Sequence, residues 1–175
     1  MPLYLIELKP AEATKESVGA LIEKVVSAVG SSDGELIETQ VTSDHRIVFF
    51  VVEADSPRFA SPVVKAVEGV AEIAGPDEVR LVGAELDDIK KLKSHADYLV
   101  EWDIPAEVTM DQYLARKKAN SPKYAEVPEV SFLRTYVRED TAKCLCFYDA
   151  PDEEAVTRAR AAVQTPIDRL FKLDV

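Results

Sequence analysis

The residues best equipped for chemistry cluster late in the chain. Arg134 and Tyr136 precede a short stretch holding Cys144, Cys146 and Tyr148, and Glu101 stands upstream of both. An arginine is a forked donor suited to anions, phenols are directional hydrogen-bonding groups, and a carboxylate can act as an acid or base. Two cysteines one residue apart offer two soft metal ligands. A closed metal site usually wants four, so Glu101, Tyr136 or water would have to complete it. The same spacing along a strand is poor for a disulfide, which predicts a reduced thiol pair.

Strand alternation sorts these side chains. Leu133, Val137, Leu145 and Phe147 fit a helix-covered face, which sends Phe132, Arg134, Tyr136, Cys144, Cys146 and Tyr148 to the opposite, open one. The equivalent face earlier in the chain carries Leu36, Glu38, Gln40, Val48, Phe50 and Val52, with Glu7 and Glu101 joining from the first strands. Glu101, Arg134, Tyr136, Tyr148, Glu38 and Gln40 are therefore the expected lining of a small polar-ligand site, with Cys144 and Cys146 as its metal-binding variant. Two other readings stay open. One is an internally satisfied polar interface in which Arg134 pairs with Glu38 or Glu101. The other is a cofactor-free enzyme using Glu101, Tyr136 and Arg134.

His45 and His95 are the only histidines, one in a hairpin turn and one in a connector, and both read as solvated turn residues. No Ser-His-Asp order, phosphate-cradling glycine loop or metalloprotease helix is present. Asp152-Glu153-Glu154 reads as a helix start, where acids complement the helix dipole.

The elements that must position these residues recur. Residues 3–8 alternate as a strand, and Val18, Leu21, Ile22, Val25, Val26 and Val29 step by three and four as one helix face. A hairpin follows, with strands at 36–42 and 47–54 joined at Ser43-Asp44-His45-Arg46. A second helix is expected over 60–73, ended by Gly75-Pro76-Asp77, and a fourth strand over 79–82. Tyr98-Leu99-Val100-Glu101 then repeats Tyr4-Leu5-Ile6-Glu7, and Thr39, Val41, Asp44 and Ala54 recur as Thr135, Val137, Asp140 and Ala150. Thr109-Met110-Asp111-Gln112 has the form of a capping box. The expected architecture is α+β. Two tandem ferredoxin-like β-α-β-β-α-β units, 1–90 and 96–175, pack as a pseudo-dimer of the dimeric α/β-barrel kind.

Tyr98-Leu99-Val100-Glu101, Pro105, Tyr136-Val137, Asp140, Cys146-x-Tyr148 and Ala150-Pro151-Asp152-Glu153-Glu154-Ala155-Val156 resemble the domain-of-unknown-function 4242 family over residues 97–175. The resemblance implies a small ferredoxin-like fold, usually present once per chain, and a family sometimes labelled nickel-binding. It supplies no established reaction. Members often carry histidine where this chain has Ala159, and some where it has Arg134, so nickel follows only weakly from the resemblance.

The chain has 175 residues and a net charge of -11, from 32 acids against 21 bases. That sign argues against nucleic acid and against anionic membranes, since both are bound by neutralising phosphates with lysine and arginine. No apolar run approaches the roughly 20 residues of a spanning helix, and the Met-Pro start lacks a signal-peptide pattern. The expectation is an acidic cytoplasmic protein, a monomeric pseudo-dimer or homo-oligomer, that binds a small molecule. No cofactor is expected beyond an occasional nickel or other soft metal.

Overall fold

The computed structural model describes residues 1–91 and 96–174; His95 lies outside the described residues. The chain divides into two compact units. Residues 1–79, 87–91 and 174 form one, and residues 80–86 and 96–173 the other.

In the first unit β1 (Leu3–Pro10), α1 (Lys15–Gly30), β2 (Glu35–Val41), β3 (Val48–Glu53), α2 (Ala60–Val67) and β4 (Ala71–Val82) follow in order. The strands lie β2-β3-β1-β4, with antiparallel pairing throughout. Thr14 caps α1, its hydroxyl accepting from the Ser17 N–H at 3.1 Å. The helix buries Val18, Leu21, Val25 and Val29 against Tyr4, Ile6, Leu8, Val48, Phe50 and Val52.

α2 is shorter, and β4 longer, than the sequence predicts. The helix stops at Val67 because Gly69 follows with φ +79°, and β4 then runs on through Gly75-Pro76. That dipeptide lies within a bulge: Leu5 pairs with Asp77, whereas Glu7 pairs with Ala74. α3 (Leu86–Lys91) occupies part of the expected connector and buries Ile89. Lys90 Nζ reaches Glu35 at 3.2 Å and Glu53 at 3.0 Å.

The second unit runs β5 (Tyr98–Asp103), α4 (Met110–Asn120), β6 (Ser131–Arg138), β7 (Lys143–Asp149), α5 (Glu153–Ala162) and β8 (Arg169–Lys172), in strand order β6-β7-β5-β8. The capping box on α4 is present: the Gln112 N–H donates to Thr109 Oγ1 at 3.2 Å, and the Thr109 N–H donates to Gln112 Oε1 at 3.0 Å. Asp152 caps α5, accepting from the Ala155 N–H at 2.8 Å. No described helix is long and apolar enough to cross a membrane.

Candidate functional site

The hairpin register divides the residues expected to share one face. Thr135 pairs with Cys146 and Val137 with Cys144, while Arg134 pairs with Phe147 and Tyr136 with Leu145. Directly opposed residues point to the same side of a sheet. Cys144, Cys146 and Tyr148 therefore lie with Val100, Val137, Ala155, Val156 and Ala159 on the helix-covered face. This corrects their expected placement beside Arg134 and Tyr136. A bulge between Phe132 and Arg134 brings Phe132 to the helix side as well. The first unit shows the same correction: Val48, Phe50 and Val52 belong to the helix-side core, and Glu38 and Gln40 oppose Val51 and Phe49 on the other face.

On the face without helices, Arg134 and Tyr136 both pack on Phe147, with ring-centroid distances of 4.8 Å for the guanidinium carbon and 5.9 Å for the phenol. Glu101 is buried on the same face. Arg169 donates to both of its oxygens, at 2.5 and 2.7 Å, and Lys143 Nζ lies 3.1 Å away. Burial pushes the Glu101 carboxyl upward, but the bonds from Arg169 and Lys143 outweigh it and hold the group below its ordinary range. A carboxylate so paired is a poor general base. In the first unit Gln40 Nε2 donates to Glu38 Oε1 at 3.0 Å. His45 sits in its hairpin turn with φ +61°, its Nε2 3.3 Å from Asp174.

The helix side of the second unit carries a different constellation. A cavity of about 30 Å³ lies between β5, β7 and the helices α4 and α5, lined by Cys144, Cys146, Tyr113, Tyr124, Arg160 and the outer residues Arg116 and Lys117. Arg160 is 3% exposed. It donates to Pro166 O at 2.7 Å, Tyr148 Oη at 3.1 Å and Cys146 Sγ at 3.5 Å. Its Nε–H has no acceptor, and among the described residues no carboxylate pairs with it. The Thr135 hydroxyl donates to Cys146 Sγ at 3.1 Å, and the Tyr124 and Tyr148 hydroxyls lie 2.6 Å apart.

These contacts set the titration of the thiols. The hydrogen bond from Cys144 leads in pulling the Cys146 thiol well below its ordinary range, against burial, and the charges of Lys117 and Arg160 and the Thr135 hydroxyl add to it. Cys144, the donor of that bond, is pushed up by the bond and by burial. Burial raises Tyr124 to about 12 and also drives Tyr148 well above its ordinary range. The result is one thiolate-favouring sulfur among protonated neighbours, beside a buried guanidinium.

Sequence reasoning passed over Arg160. Its signal is positional: Val156 and Arg160 are one turn apart, so an arginine falls on the buried stripe of α5 with Ala155, Val156 and Ala159. Tyr113, Tyr124 and Thr135 carried no comparable mark.

The fold defines a class. Over the whole chain it resembles a candidate chlorite dismutase, TA0507, at 14% identity and a TM-score of 0.57, covering 100% of this chain and 96% of that one. It also resembles a candidate monooxygenase, FN1347, from Fusobacterium nucleatum, at 12% identity and a TM-score of 0.53, covering 99% and 92%. A cyanide-bound variant of chlorite dismutase from Candidatus Nitrospira defluvii matches at 12% identity and a TM-score of 0.53, covering 99% and 91%. The chain thus has the two-unit ferredoxin-like α+β fold that these structures share. More particularly, residues 98–173 match the model of the nickel responsive protein SCO4226-like family. No curated protein sequence matches the chain.

Proposed function

We propose that this protein binds a small polar or anionic molecule, and that the binding site is the helix-side cavity of the second unit. The observation that carries this reading is Arg160: a buried guanidinium without a carboxylate partner, holding one N–H unspent, in the wall of a cavity. A buried donor left without an acceptor is costly, and a bound anion removes that cost by accepting from the Nε–H. Arg116 and Lys117 place two more cations on the lining, in a chain whose net charge is -11. A local positive field in an acidic protein favours entry of small anions.

Size narrows the ligand. Pockets for ordinary metabolites run to several hundred Å³, whereas a single water needs about 10–15 Å³ of such space. At about 30 Å³ the cavity suits a species of roughly two or three heavy atoms. Calorimetric titration with azide, nitrite and thiocyanate at low salt tests this. One of them binds the wild type saturably, and Arg160→Met weakens it by about 10- to 100-fold, the worth of a charge-assisted hydrogen bond. Arg160→Lys retains part of the affinity. Absence of binding by every anion, or equal binding by a folded Arg160→Met, overturns the proposal.

Glu101, Arg134, Tyr136, Glu38 and Gln40 then have a structural role, and the enzyme reading built on Glu101 loses its base to Arg169 and Lys143. The nickel that the sequence resemblance implies does not fit this cavity either. Among the described residues no three metal-ligating side chains come together, and a guanidinium lies 3.5 Å from one of the two thiols, where it repels a divalent cation. Nickel added to the reduced protein is expected to bind weakly and without fixed stoichiometry by calorimetry. Tight one-to-one binding lost in Cys144→Ser/Cys146→Ser would show the thiols to be ligands after all.

A further inference from the structure

We infer that Cys146 is a peroxide-reactive thiol, oxidised to a sulfenic acid by hydrogen peroxide admitted to the cavity. This rests on the reading of that cavity as a small-molecule site and goes further, naming a reactant and a reacting atom.

A buried cysteine is ordinarily a small apolar filler with an inert thiol. Cys146 is 1% exposed, yet two donors converge on its Sγ: the Thr135 hydroxyl at 3.1 Å and Arg160 Nη1 at 3.5 Å. Donors aimed at sulfur stabilise the thiolate, which is the nucleophilic form. Arg160 lowers both thiols, but its N–H is directed at Cys146 Sγ, so the pair is asymmetric.

The chemistry is a displacement at oxygen. A sulfur lone pair of the Cys146 thiolate attacks one oxygen of the peroxide along the O–O axis. The S–O bond forms as the O–O bond breaks, sulfur losing two electrons and the peroxide gaining them. Cys146 becomes the sulfenic acid, and the departing hydroxide takes a proton from solvent to leave as water. Negative charge grows on the departing oxygen, and the unspent Nε–H of Arg160 is the donor available to it. Hydrogen peroxide has two heavy atoms and fits a cavity of about 30 Å³, whereas a branched alkyl hydroperoxide does not. The same narrowness keeps bulky thiols from the product, so the sulfenic acid persists.

The full chain is exposed to hydrogen peroxide, then denatured in the presence of dimedone and mapped by mass spectrometry. In the wild type and in Cys144→Ser, the adduct forms on Cys146 with a rate constant at least about 10-fold above that of free cysteine at pH 7. The rate stays flat from about pH 6 to 9, where a free thiol accelerates as it ionises near 8.5. tert-Butyl hydroperoxide reacts at least about 10-fold more slowly than hydrogen peroxide. Arg160→Met, checked for native circular dichroism, falls to the free-cysteine rate. A folded wild type whose Cys146 reacts no faster than free cysteine, or whose adduct resides on Cys144, overturns the inference. Anion titration of Cys146→Ser separates the two claims. Anion binding there without peroxide reactivity in the wild type sinks this inference alone. Peroxide reactivity without any anion binding sinks the anion-site reading alone.

Discussion

Glu101→Ala is expected to destabilise the folded protein by about 3 kcal/mol at neutral pH, the lower end of the cost of breaking a buried ion pair. The carboxylate is 3% exposed and receives a two-pronged bond from Arg169 and a third contact from Lys143. The two cations are about a third exposed, 33% and 32% for their side chains, so water recovers part of what they lose. The expected loss therefore lies low in the range. The pH dependence carries its own sign. The folded-state pKa lies below the ordinary 4.5, so the stabilisation is complete above that value and is lost as pH falls through the folded one. Urea unfolding from pH 7 downward should therefore show the wild type converging on Glu101→Gln as the medium becomes acidic. A gap that stays constant with pH, or a loss under about 1 kcal/mol at pH 7, would mean the pair is no stronger than an exposed one.

Much of the topology was legible because its signals are local. The Thr109–Gln112 capping box, the acidic helix start at Asp152-Glu153-Glu154 and the three-and-four stepping of Val18, Leu21, Val25 and Val29 depend only on neighbours in the chain. The faces of the strands were not legible, for two physical reasons. First, β3 and β7 have no polar side to set their phase: Val48–Val52 and Cys144–Tyr148 are buried at every position. Alternation cannot tell which half of an evenly buried strand meets the helices. Second, the bulges between Leu36 and Glu38 and between Phe132 and Arg134 reset the count along β2 and β6. A one-residue slip exchanges the two faces, so Arg134 and Cys146, expected side by side, end on opposite sides of the same sheet. Asymmetry between the halves was readable, since Cys144, Cys146 and Tyr148 stand where the first half has Val48, Phe50 and Val52. The arginine that this asymmetry accommodates came into view only in the fold, where α5 brings Arg160 to Cys146 and Tyr148.

Gly75→Ala is expected to cost about 3 kcal/mol or more, although the position is exposed and an exposed glycine in a loop would tolerate the change. Gly75 is not in a loop. It lies inside β4, where the register against β1 shifts between Leu5 and Glu7, and its φ is +94°. An L side chain rarely adopts that backbone conformation. A Cβ placed there would also stand 2.5 Å from Leu5 O and 3.1 Å from Asp77 N, both backbone atoms that cannot rotate aside. Relief requires β1 and β4 to part at the bulge, which loosens the strand carrying Tyr4, Ile6 and Leu8 into the first unit's core. Gly69→Ala provides the comparison. Gly69 also has a positive φ, +79°, but nothing lies within 4 Å of its missing Cβ, so the conformational term acts alone at about 1 kcal/mol. Denaturant unfolding of both variants separates close approach from backbone preference. If Gly75→Ala and Gly69→Ala lose the same amount, the bulge yields easily and the contact with Leu5 is not what requires glycine.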